Sequence, residues 1–123
     1  MNLQGDFFHV TSISAEGNSA KATIELNPLH QIFEGHFPGI PVVPGVCMMQ
    51  MIKEMVETVT GKETMLSKSD IMKFLVVINP LENKFIDIEL KYNPTITGSL
   101  DVTASILVKT IVCFKFKGLF VPE

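Results

Sequence analysis

Between Asn27 and Pro44 the chain holds four of its seven prolines, Pro28, Pro38, Pro41 and Pro44, together with Gly35 and Gly39, and Gly45 follows at once. Each proline fixes its φ and removes a backbone donor, so neither a helix nor a paired central strand tolerates that density. The segment therefore predicts a loop of fixed shape. It splits the rest of the sequence into a short part before it and a long part after it.

Before the loop, Phe7 to Ile13 and Ser19 to Leu26 read as two strands joined by a turn at Glu16-Gly17-Asn18. In the second, Ala20, Ala22, Ile24 and Leu26 alternate with Lys21, Thr23 and Glu25, the period of a half-buried strand. After the loop, Val46 to Thr60 reads as a helix closed by Gly61. Met48, Met51, Ile52, Met55, Val56 and Val59 form its apolar face, with Gln50, Lys53, Glu54 and Glu57 on the other side. The first turn, Val46 to Met49, is apolar all round and predicts a buried helix start. The methionines read first as core filler, and otherwise as the lining of a deformable pocket. Ser69 to Ile78, Lys84 to Tyr92, Leu100 to Val108 and Ile111 to Val121 read as four further strands. One helix and about six mostly antiparallel strands make an α+β class, with the sheet curled over the helix.

At 123 residues, with no repeat or linker, the chain reads as a single domain over 1–123. A hydrophobic share of 46% is too high for disorder and supplies a real core. A formal charge of −3 argues against a duplex-DNA binder. All ten cations are lysine, so no guanidinium fork is present to grip phosphate or carboxylate. Cys47 and Cys113 show neither metal-type spacing nor a disulfide framework. Cys47, in the first helical turn, reads as core packing rather than as a nucleophile. The N-terminal residues do not follow a basic segment with an apolar one, and the longest apolar run, Phe74 to Ile78, is far short of the ~20 residues a membrane helix needs. A cytoplasmic chain with no membrane span is the expectation.

The segment that carries chemistry runs from Phe33 through Glu34, Gly35, His36, Phe37 and Pro38 to Pro44, Gly45 and Val46. His36 sits between two glycines, Gly35 and Gly39, and prolines fix the backbone from there to the helix. That is a way to hold one imidazole rigidly beside a helix start, as catalysis demands. Backbone N–H groups at Gly45 and Val46 form a partial positive end able to polarise a carbonyl oxygen. An imidazole next to such donors suits removal of a proton α to a thioester or ketone. His9 and His30 lack this framing and read as structural or surface residues.

The run His36-Phe37-Pro38-Gly39-x-Pro41-x-x-Pro44-Gly45-Val46 strongly resembles the signature of the 3-hydroxyacyl-acyl-carrier-protein dehydratases, which have the hot-dog fold. Phe33-Glu34-Gly35 is similar to that family's approach to the histidine, and the resemblance covers the whole chain in element order. It implies a homodimer or higher even oligomer whose sheets join edge to edge, or a paired dehydratase subunit. It also implies composite sites, with the histidine from one chain and a helix acid from the other. The acyl chain would enter an apolar tunnel beside the helix, carried on the phosphopantetheine of acyl carrier protein. Phe37, Pro44, Gly45, Val46 and Met49 are then the expected substrate-binding residues, with no metal or redox cofactor.

At one position the pattern breaks. The family's helix acid falls fourteen residues after the histidine, and here that residue is Gln50. Where the family usually shows a glutamine, four residues on, stands Glu54, so Glu-x-x-x-Gln becomes Gln-x-x-x-Glu. Residues four apart share a helix face and remain neighbours in the swapped order. Three outcomes stay open: His36 shuttles the proton while Gln50 orients substrate, Glu54 supplies the acid, or the site binds acyl thioesters without turnover. The leading expectation is dehydration of a 3-hydroxyacyl thioester to a trans-2-enoyl thioester, in fatty-acid or polyene-type synthesis, with His36, Gln50 and Glu54 as catalytic residues. The alternatives are a non-catalytic acyl-binding subunit and, behind it, a hot-dog thioesterase. Lys115 and Lys117 share one strand face and could meet an acidic carrier protein, or be an ordinary solvated edge.

Overall fold

A computed structural model describes residues 2–34 and 41–123. His36 and Phe37, both expected in the site, lie outside the described residues. Within them the order is β1 (Phe8–Glu16), β2 (Ser19–Leu26), a short 3₁₀ turn (Gln31–Phe33), α1 (Gly45–Thr60), β3 (Thr64–Phe74), β4 (Phe85–Pro94), β5 (Leu100–Val108) and β6 (Ile111–Pro122). The strands form one antiparallel sheet in the order β1-β2-β4-β5-β6-β3.

Alternation along the inner strands decides which face meets the helix. Ala22 pairs with Ile88, Ile88 with Ile106 and Ile106 with Phe114, so one apolar row crosses four strands. Ala20, Leu90, Ala104 and Phe116 make the next row. All of these are buried, and Met48, Met51, Ile52, Met55 and Val56 of α1 join them in a single core. Burying each large side chain contributes about 1.5–3 kcal/mol, so the core rather than helix propensity holds α1 in place. Gly61 closes α1 in the left-handed region at φ 70°, its N–H donating to the Glu57 carbonyl at 2.8 Å. The Glu57 carboxylate accepts from Lys53 Nζ at 3.1 Å and from the Thr64 N–H at 2.7 Å, tying the helix end to the start of β3.

Two expectations need correction. The strand expected over 69–78 runs instead over Thr64–Phe74. Past Phe74 the backbone leaves the ladder: the N–H groups of Leu75 and Val76 both reach the Cys113 carbonyl, at 2.8 and 3.2 Å. Ile78 then accepts from Val43 N–H at 2.9 Å and sinks into the core, so the apolar run is a crossing segment rather than a strand. The helix start is also not wholly buried. Cys47 and Met48 are covered, but Val46 is 71% exposed. Lys115 and Lys117 are exposed as expected, yet β6 lies between β5 and β3, so they stand on the outer face of an interior strand, not on an edge.

Candidate functional site

Pro44 is the N-cap of α1 and has no side chain to cap with; its carbonyl accepts from Cys47 and Met48 N–H at 3.0 and 3.1 Å. No backbone acceptor among the described residues takes the N–H of Gly45 or Val46. Two donors at the positive end of the helix dipole thus have no backbone acceptor among the described residues. An apolar cavity of about 650 Å³ opens here, lined by Gly45, Val46, Met49, Gln50, Lys53 and Phe74 among others. A second cavity, about 620 Å³, lies on the other side of Pro44 and Gly45, against Met48 and residues 74–77. Gly45 and Phe74 line both.

Gly45 is glycine because of that aromatic ring. A Cβ there would stand 2.8 and 2.9 Å from Phe74 Cε1 and Cζ. To admit a methyl group Phe74, which is 54% exposed, would have to shift against the fully buried Phe114, whose ring centroid lies 4.9 Å away. Gly45→Ala is therefore expected to cost about 1–3 kcal/mol by overpacking and to narrow both cavities. Thermal unfolding checks the first effect.

Of the residues expected to bind substrate, Pro44, Gly45, Val46 and Met49 all gather around these cavities. Of the expected catalytic residues, Gln50 lines the first cavity and is half-buried. Glu54 differs from expectation. It was placed on the polar side of the helix, but it is only 4% exposed and is absent from the cavity lining. Its Oε2 accepts the Leu3 N–H at 2.7 Å and Gln50 Nε2 at 3.0 Å, and its Oε1 accepts the Gln4 N–H at 2.8 Å. Buried charge must be compensated, and these donors do so. Nothing in the spacing of α1 marks this, because the donors come from backbone about fifty residues away.

Sequence reasoning also missed Phe74, Leu66, Met72 and Phe120 as lining residues, because they come from β3 and β6. Met51 and Met55 are core, Met48 is buried in the core and also lines the second cavity, and Met49 lines the first. His30 is structural: its Nδ1 accepts the Ile32 N–H at 3.1 Å and its Nε2 lies 3.0 Å from Asp6 Oδ2. His9 is exposed. Burial pushes the Cys47 thiol above its ordinary range, which fits packing and not a nucleophilic thiolate.

One helix under a curved six-stranded antiparallel sheet, with a cavity at the helix start, is the hot-dog arrangement. Residues 12–108 match the model of the ApeI-like family, described as ApeI dehydratase, and the chain belongs to that family. It is 30% identical over 82 residues to a 3-hydroxyacyl-[acyl-carrier-protein] dehydratase FabZ from Caldicellulosiruptor saccharolyticus, a match covering 61% of this chain. The chain spans 59% of the length of that curated relative. Among solved structures, the dehydratase heterocomplex ApeI:P from Xenorhabdus doucetiae superposes with a TM-score of 0.74 at 17% identity, over 89% of this chain and 95% of that one. Cj0977, a sigma28-regulated virulence protein from Campylobacter jejuni, gives 0.69 at 15% identity, over 91% and 82%. At these identities the likeness is one of fold.

Proposed function

We propose that this protein dehydrates a 3-hydroxyacyl thioester carried on acyl carrier protein, giving the trans-2-enoyl thioester and water. The observation that carries the reading is the apolar cavity at the start of α1, with Gly45 at its mouth and Gln50 as a polar group on its wall. The family membership and the FabZ relative support the same chemistry. In this account His36 takes the α-proton while the Gly45 N–H stabilises negative charge on the thioester oxygen. The electron pair then forms the α–β double bond as the C–O bond breaks. The leaving hydroxide takes the proton back from His36, and Gln50 orients the departing oxygen. The reaction consists of proton transfers and electrostatics and calls for no metal or redox cofactor. Fatty-acid or polyene-type synthesis would use such a step.

The reading includes a second copy or a paired dehydratase subunit. β3 ends the sheet, and Met65, Ile71, Met72 and Phe74 along it are between 39% and 54% exposed. The following Val77 is 69% exposed, and an apolar edge of this length invites strand pairing. Two sheets joined at β3 would cover these residues. Sedimentation equilibrium is expected to give an even multiple of the chain mass; a monomer at micromolar concentration contradicts it.

Gln50 favours one second reading, an acyl-binding subunit that needs an active partner, because an amide transfers no proton. That reading predicts binding of 3-hydroxyacyl thioesters by the purified protein with no product. Release of free acid instead would mark a thioesterase.

A further inference from the structure

The first cavity is a groove with two distinct ends. At one end Phe74 stands against Gly45, its ring 2.8 Å from where a Cβ on that glycine would lie. At the other, the Thr64 N–H donates to Glu57 at 2.7 Å, so β3 begins beside the end of α1 and runs back along it. Gly45, Met49 and Lys53 line the groove at four-residue steps along one helix face. At 1.5 Å per residue these three positions span about 12 Å. Leu66 and Phe120, partners across the β3–β6 ladder, line the groove from the sheet.

Beyond Lys53 no described helix residue lines the groove. Val56, just past it, is fully buried. Lys53 Nζ is held by Glu57 Oε2 at 3.1 Å, and the same oxygen accepts the Thr64 N–H. The ion pair is partly covered, with the two side chains 26% and 23% exposed. A hydrocarbon chain reaching further would have to part this pair and set methylene groups against its charges, which is costly. We propose that Lys53, clamped by Glu57, is a length stop that makes medium-length 3-hydroxyacyl chains the substrates of this site. This rests on the dehydratase reading and names the substrate class within it. An extended chain advances about 1.2 Å per bond, so a groove that starts at the Gly45 N–H and ends at Lys53 holds about eight to ten carbons. Each methylene that enters the groove tightens binding about fourfold, and a carbon past Lys53 adds nothing.

The test measures kcat/KM and, separately, equilibrium binding for 3-hydroxyacyl carrier-protein thioesters of four, eight, ten and fourteen carbons. Wild type is expected to improve from four carbons to eight or ten and to fall by about tenfold or more at fourteen. Lys53→Ala should raise the fourteen-to-eight ratio by about tenfold, because the stop is gone. Leu66→Phe adds bulk at the same end from a side chain that is 36% exposed, and should lower the ten-to-four ratio. A wild-type profile that is flat, or that still rises at fourteen carbons, would overturn the proposal. So would a fourteen-to-eight ratio unmoved in Lys53→Ala. An eight-carbon chain ending in carboxylate that outcompetes its methyl-ended counterpart would also overturn it, making Lys53 an anion site instead. Should wild type show no turnover, the dehydratase reading fails by itself, and the chain-length profile of binding still decides the stop. Absence of binding at every length would sink both. If Lys53→Ala does not fold, Leu66→Phe decides: a lowered ten-to-four ratio supports the stop, and an unchanged one contradicts it.

Discussion

His36→Ala is expected to lower kcat for 3-hydroxyacyl-thioester dehydration by about 10²–10⁴, the usual worth of a positioned base. The step it removes is the least replaceable one. An α-proton is weakly acidic, and among the residues lining the first cavity Gln50 cannot accept it as a base and Lys53 is paired to Glu57 at 3.1 Å. Binding should survive, because the apolar lining from Met49, Leu66, Met72 and Phe120 is untouched. Acyl-thioester affinity within a few-fold of wild type, beside a collapsed kcat, is therefore the expected pattern in a paired binding and kinetic measurement. An unchanged kcat would remove His36 from the chemistry.

Gln50→Glu is the second large effect, and its sign separates a rewired site from a decayed one. The substitution removes the amide that donates to Glu54 and sets a carboxylate about 3 Å from a buried one. Two carboxylates this close cannot both stay ionised without cost, so the pair holds a proton to higher pH than either alone. The loss should be about 2–4 kcal/mol of stability near neutral pH, from a broken charge-assisted hydrogen bond and a like-charge contact. The pair's folded pKa lies above its unfolded value, so the penalty is small in acid, where the pair keeps its proton. It grows as pH rises through the carboxylate range and the unfolded chain sheds protons the native pair must hold. Melting temperatures at pH 5 and pH 8 check this, with the larger drop expected at pH 8. In a rewired site kcat falls too; a large gain would mean that the site is a decayed form of the usual order.

What could be read from the sequence follows from where the information lies. Alternation in β2 and β4 gave their buried faces directly, because each has one side on the core. Gly61 announced the end of α1 for a local reason, its left-handed φ. β3 was misplaced because it is an edge strand with irregularities at Leu66/Lys68 and Ser69/Ile71, where the facing of side chains shifts and alternation is lost. At the site, the helix start was legible from spacing within one element, whereas Gln50 was singled out only by resemblance to the family's motif. The partners of Glu54 were not, because a backbone N–H at Leu3 or Gln4 carries no residue-type signal. The cavity walls contributed by Phe74 and Phe120 required the strand order β5-β6-β3, which no local pattern supplies.

The most direct measurement incubates the purified wild-type protein with a 3-hydroxyacyl thioester on acyl carrier protein and follows the carrier-bound product by mass spectrometry. Loss of one water with the thioester intact, abolished in His36→Ala, is the predicted result. A thioester that binds but keeps its hydroxyl, with the protein alone and with its own assembly intact, would contradict the account.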